Sequence, residues 1–216
     1  MKTPDLIDTL AADATPVRRL RPPTVRAAGW LSLSVFVVVM AAFHHGVRPD
    51  LALKLEQSVF VASVAAALLT GVLAAVAAFV ASVPGRSQRW LLLPIPALAG
   101  WFATIGYGCL TDWVRIGPAG ISLGETASCF ATVMMVALPL SLALLIMLRY
   151  VAKLSCEPIA ICASLAVAAT TAAALSILHP LDATVMILLW NIGVTLLFLV
   201  VSGRFGRQLF AWVALH

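Results

Sequence analysis

Charge is what this chain has least of. Asp, Glu, Lys and Arg make up 11% of its 216 residues, while 62% are hydrophobic. A soluble domain of that composition would lack the polar surface needed to cover its core, so a soluble globular protein is excluded. Catalytic signatures are missing as well. There is no HExxH or P-loop pattern, which argues against an enzyme. The four cysteines show no CxxC spacing, which removes the zinc-finger and disulfide-framework readings. Every long apolar run is free of ionisable Asp, Glu, Lys and Arg, against the habit of proton- and ion-coupled carriers. Only Asn191, beside Trp190, offers a strongly polar side chain deep in such a run. No internal repeat occurs, and no low-complexity tract beyond a general richness in alanine.

What the chain does have is six apolar runs of membrane-spanning length: Ala27–Gly46, Ser58–Val83, Trp90–Thr111, Thr126–Leu148, Pro158–Leu178 and Ala183–Ser202. The first is too long for a signal-peptide core and follows about 26 polar residues, so it is expected to stay in the mature protein. The predicted fold is an all-α membrane protein, a bundle of six transmembrane helices preceded by a short cytoplasmic amphipathic helix. Its parts are a tail over 1–26, the membrane domain over 27–202 and a C-terminal tail over 203–216.

The basic residues set the expected orientation. With the N-terminus cytoplasmic, Lys2, Arg18, Arg19, Arg21, Arg26, Arg86, Arg89, Arg149, Lys153, Arg204 and Arg207 fall inside. Arg48, Lys54 and Arg115 fall outside. Both termini are then cytoplasmic in a bacterial inner membrane. The net charge of +5 is read as this anchoring, and no direct contact with nucleic acid is expected. Trp30, Trp90 and Tyr150 are placed near the inner interface, with Tyr107 and Trp113 near the outer one. Small residues crowd the second and fifth runs, including Gly71 four residues before Ala75 and the stretch Ala166 to Ala174, so these helices should approach closely. Pro94, Pro96 and Pro139 are expected to bend the third and fourth runs.

The polar opening, MKTPDLIDTLAADATPVRRLRPP, is the segment free to meet another macromolecule. Thr3 suits an N-cap and Pro4 the first helical position. At 100° per residue Leu6, Ile7, Leu10, Ala11 and Ala14 share one face, opposite Asp5, Asp8 and Thr9. The acids on the polar face disfavour anionic lipid, so a protein groove suits this helix better than the membrane surface. The cluster Arg18, Arg19, Arg21 and Arg26 reads either as a lipid-headgroup anchor or as an electrostatic contact with a cytoplasmic partner.

On the other side the topology gathers His44, His45, Cys109, Cys129, His179 and Asp182. Thiol, imidazole and carboxylate together could bind a soft or borderline cation, and Cys109 and Cys129 could form a disulfide in an oxidising periplasm. The plainer alternative is interfacial histidines and small apolar cysteines. No resident cofactor is expected; a divalent metal would act only as a transient signal. Cys156 and Cys162 lie at the inner side, where they should stay reduced.

Four stretches, LIDTLAADATPVRRLRPP, ISLGETASCF, LHPLDA and WNIGVTLLFLVVSGRFGRQLFAW, together give the chain a resemblance to the NrsF-like membrane anti-sigma factors over nearly its whole length. The resemblance implies that the cytoplasmic tail withholds an extracytoplasmic-function sigma factor from RNA polymerase; the tail's own pattern makes Leu6, Ile7, Leu10, Arg18 and Arg19 the expected contacts. It further implies release of that factor when outer-loop cysteines sense metal or oxidant stress. Cys129 matches the first family cysteine. Where the second is expected, His179 is followed by Pro180, so the pair is incomplete unless Cys109 substitutes. The family's tryptophan–histidine pair appears here as Trp190–Asn191. The rival readings from other classes are a small multi-span transporter or channel and a structural subunit of a membrane complex.

Overall fold

The computed structural model describes residues 21–83, 85–116, 123–148 and 156–178, together with the isolated positions Thr3 and Ala12. Among them there is no strand. The helices are α1 (Pro23–His45), a short α2 (Leu51–Leu55), α3 (Ser58–Ala81), α4 (Ile95–Ile116), α5 (Leu123–Leu148) and α6 (Cys156–Leu178). A 3-10 turn, Gln88–Leu92, leads into α4. Among the described residues five segments are long and apolar enough to cross a membrane: Pro23–His45, Ser58–Ala81, Gln88–Tyr107, Ala131–Leu148 and Pro158–Leu178. They coincide with the first five apolar runs. The sixth, Ala183–Ser202, lies outside the described residues.

Local chemistry explains the boundaries. Pro23 opens α1 at a position whose backbone N–H would have no helical partner anyway. Gly46 closes it at φ +78°, a conformation that a side chain would strain, and donates its N–H to the Ala42 carbonyl. Pro94 and Pro96 do not bend a helix as expected. Pro94 precedes α4 and Pro96 is its second residue, so both act as starters. Pro139 does lie inside α5. The stretch between the third and fourth apolar runs, Asp112–Glu125, is helical at both ends, since α4 continues to Ile116 and α5 begins at Leu123.

α6 is the axis of the bundle. Of its apolar stretch 72% is buried, against 22% for that of α1. Its closest neighbour is α3, and the two run antiparallel with small residues between them. A side chain added at Gly71 would meet the Thr170 methyl at 2.8 Å and the Ala166 carbonyl oxygen at 3.5 Å. Ala74, Ala75, Ala78, Ala166 and Ala174 are likewise buried. Van der Waals contact between backbones that approach this closely is what holds helices together in lipid, where burial from water gives no drive. α4 packs on α3, and its Trp101 and Ile105 share a small cluster with Ala67 of α3 and with Ala169 and Ala173 of α6. α5 packs on α6 and on α1, and α1 leans also on α3. Val35, Phe36, Met40 and Phe43 of α1 stay exposed, as a lipid-facing stripe would.

The fold separates two ends. One holds Arg21, Arg26, the turn with Arg86 and Arg89, the end of α5 and the start of α6. The other holds His44, His45, Arg48, Lys54, the start of α5 and the end of α6. This is the grouping that the basic residues required of the topology.

Candidate functional site

α1 is the helix that directly follows the polar tail; beside its apolar packing through Ala27, Trp30, Ala41 and their neighbours, it makes several polar attachments to the bundle. At its first turn Arg26, half-buried, donates from Nη2 to the Met147 carbonyl at the end of α5. Its guanidinium also lies 5.2 Å from the centre of the Phe79 ring. A cation on the last carbonyls of a helix completes both their hydrogen bonding and the helix dipole. One turn on, the Trp30 indole N–H donates to the Leu140 carbonyl at 3.1 Å, both residues being wholly buried. Trp30 is therefore not the interfacial belt residue that its position in sequence suggested. Trp90, 41% exposed, fits that description better.

At the other end of α1 the two imidazoles of His44 and His45 stand edge to face with centroids 5.0 Å apart, both exposed. His45 Nε2 lies 3.2 Å from the Met135 sulfur of α5. A thioether only accepts, so this ring nitrogen carries the proton in that contact. Just beyond, Arg48 forms a clasp. Its side chain is 2% exposed, and its Nε and Nη2 donate to the two oxygens of Asp50 at 2.7 Å each. Its Nη1 reaches the Ser176 carbonyl at 3.3 Å, and its backbone N–H reaches the Ile177 carbonyl at 3.2 Å. The guanidinium also lies 5.7 Å from the Phe60 ring centre. The hydrogen bond from Arg48 holds the Asp50 carboxyl below its ordinary range. The clasp thus ties the α1–α3 connection to the last turn of α6, immediately before His179.

Cys109 lies in α4, seven residues before its end, and Cys129 in α5, six residues after its start. Both helix ends adjoin the stretch 117–122, so the two positions belong to the same end of the bundle as His44 and His45. Their side chains, and His179 and Asp182 altogether, lie outside the described residues. Among the described residues no three groups of the His, Cys, Asp and Glu type come together as a metal site. Cys162 is free and buried in α6, with its sulfur 3.8 Å from the Leu91 carbonyl. The tail positions Leu6, Ile7, Leu10, Arg18 and Arg19 also lie outside the described residues. Thr3 and Ala12, which flank the expected apolar face, are helical and exposed.

Sequence reasoning missed the arginines and Trp30 as attachments. Arg26 counted only as part of a basic cluster and Arg48 only as an outer charge. The signal for Arg48 was present: an acid two residues on, in a short connection that follows an apolar run. Nothing local marks which carbonyl Trp30 would find 110 residues away.

No curated protein and no solved structure matches the chain. The family model described as NrsF, negative regulator of sigma F, matches residues 10–212. That match takes in part of the tail, every described helix from α1 to α6 and the apolar run beyond them, and the chain therefore belongs to the NrsF family, negative regulators of a sigma factor.

Proposed function

We propose that the protein is a multi-pass anti-sigma factor of the bacterial inner membrane with both termini cytoplasmic. Its tail holds an extracytoplasmic-function sigma factor away from RNA polymerase until a stress on the periplasmic side releases it. The family match over residues 10–212 carries this reading, because it joins the tail and the helical bundle in one regulator. The sorting of Arg21, Arg26, Arg86 and Arg89 to the tail's end of the bundle supports the orientation. The tail is attached by groove binding, with Leu6, Ile7 and Leu10 as anchors and Arg18 and Arg19 as charged contacts.

The stimulus is read at the opposite end. Cys129 is central, with Cys109 or His179 as its partner, and His44 and His45 complete the set of groups that a metal ion could use. A metal bridge or disulfide there acts only by binding one packing of the helices better than another. A twentyfold preference supplies about 1.8 kcal/mol, within the usual range for coupling between sites.

Co-expression tests the proposal. The solubilised full-length protein should co-purify with its sigma factor and exclude RNA polymerase from that complex; a sigma factor that elutes alone would overturn the reading. A Cys129→Ser protein should bind the sigma factor normally but fail to release it on exposure to metal or oxidant. Cys156→Ser should respond like the natural protein. A normal response from Cys129→Ser would remove that thiol from the mechanism.

A further inference from the structure

Among the described residues three side-chain bonds join α1 to α5, and they bracket a proline. Pro139 gives no N–H to the Met135 carbonyl one turn earlier, and its ring crowds that carbonyl. Two residues beyond it, the Ser141 hydroxyl donates to the Leu138 carbonyl at 2.9 Å, a local bond that helices accommodate by bending. α5 is therefore weakest in the turn from Met135 to Pro139, which includes the Leu138 carbonyl. On the side of the weak point toward Cys129, His45 of α1 holds Met135 at 3.2 Å. On the other side Trp30 holds the Leu140 carbonyl at 3.1 Å and Arg26 holds that of Met147. α1 has no proline after its first residue, so it lies along α5 as a stiff splint of about 28 Å between Arg26 and His45.

A rigid helix bonded to both arms of a hinged one opposes any change in the hinge. If the arm carrying Cys129 swings about Pro139, α1 must lose either its contact with Met135 or its contacts beyond the hinge. His45 and Met135 are exposed, whereas Trp30 and Leu140 are wholly buried, so the buried bond fixes which arm α1 follows. We infer that Trp30 is the coupling residue of this protein: its indole N–H locks α1 to the inner arm of α5 across the Pro139 hinge and so sets the position of the tail. The inference rests on the anti-sigma reading for its consequence but not for its geometry. Trp30 is a positioning residue and touches neither sigma factor nor signal.

Trp30→Phe keeps an aromatic ring in the pocket and removes the donor. The Leu140 carbonyl keeps its place in the α5 ladder, so the change is directed at the latch. In cells carrying the full-length protein and its sigma factor, Trp30→Phe should raise unstressed target transcription roughly five- to tenfold, the effect of one hydrogen bond on a two-state balance. Pro139→Ala, which restores a continuous α5, should keep the sigma factor bound and blunt its release. The double variant should behave as Pro139→Ala alone, because a latch across a hinge has no effect once the hinge is gone. Additive effects in the double variant, or unchanged transcription in Trp30→Phe, would overturn the inference.

The geometry is read separately, without sigma factor, from genetically encoded spin labels at Val25 and Ile146, both about half exposed. The distance between them should be single in the natural protein, broad in Trp30→Phe and single again in the double variant. Broadening that survives Pro139→Ala would contradict the hinge even if sigma binding proves correct. The expected distances without sigma regulation would retain the hinge and reject the regulatory reading. Should Trp30→Phe fail to accumulate, Pro139→Ala decides alone, and a full stress response from it overturns the coupling.

Discussion

α6 and α1 run in the same direction through the bundle and are held in opposite ways. α6 is gripped along its length by α3 through small residues, with alanine on both sides and Gly71 under Thr170. α1 keeps a broad exposed face, shares less of the apolar core, and is tied in addition at separate points by Arg26, Trp30, His45 and, just after it, Arg48. Close packing is distributed and has no single contact to release. Point attachment can change one contact at a time. A regulator that must hold a partner and then let it go needs the second kind of helix next to its tail and the first kind beneath it.

The largest effect is expected at Gly71. Gly71→Leu places a branched side chain where even a methyl group would overlap Thr170, whose hydroxyl is fixed to the Ala166 and Val167 carbonyls. It should cost about 3 kcal/mol and strip most of the protein from the membrane fraction. Gly71→Ala should cost less, and Thr170→Ala should restore part of that loss; independent, additive effects would show that the two helices do not meet here.

Arg48→Ala comes next. It removes the bond to the Ser176 carbonyl and the contact with Phe60, so the thermal midpoint should fall by an amount corresponding to about 1–2 kcal/mol, while the α3–α6 contact survives. The pH dependence of the clasp has a definite sign. The Asp50 carboxyl is depressed, so its contribution is present above the ordinary carboxylate range and is lost only as pH falls through the depressed value. Lowering the pH from neutral to about 5 should therefore leave the Arg48–Asp50 pair closed, and a melting curve that loses the Arg48 contribution in that interval would contradict the assignment.

The smallest effect is expected inside α6. Among the described residues, Thr171 Oγ1 is buried with no hydrogen-bond partner. Thr171→Val keeps the shape and removes the hydroxyl, so it should be neutral or stabilise by up to about 1 kcal/mol in a melting experiment. A clear loss of stability would mean that the hydroxyl has a partner in the assembled protein.

The closely packed half of the comparison was readable in the sequence, because small residues at helical spacing in Gly71–Ala75 and Ala166–Ala174 state their own packing rule. So were the five described spans and the two ends, since apolar length and basic residues act locally. The attachments of α1 were not readable. Arg26, Trp30 and Arg48 find carbonyls more than a hundred residues away, and a carbonyl carries no side-chain identity for a sequence to show. Pro94, Pro96 and Pro139 were alike as sequence signals, and only their position relative to the helix start made the first two openers and the last a hinge.

The decisive measurement is co-purification of the sigma factor with full-length protein carrying Leu6→Ala and Leu10→Ala together, alongside expression of its target genes. Each lost anchor should weaken binding by about 1–3 kcal/mol, so the doubly substituted protein should reach the membrane in normal amount, lose its sigma factor and leave the target genes on without stress. Retention of the sigma factor with the target genes still silent would contradict the claim that the apolar face of the tail holds it.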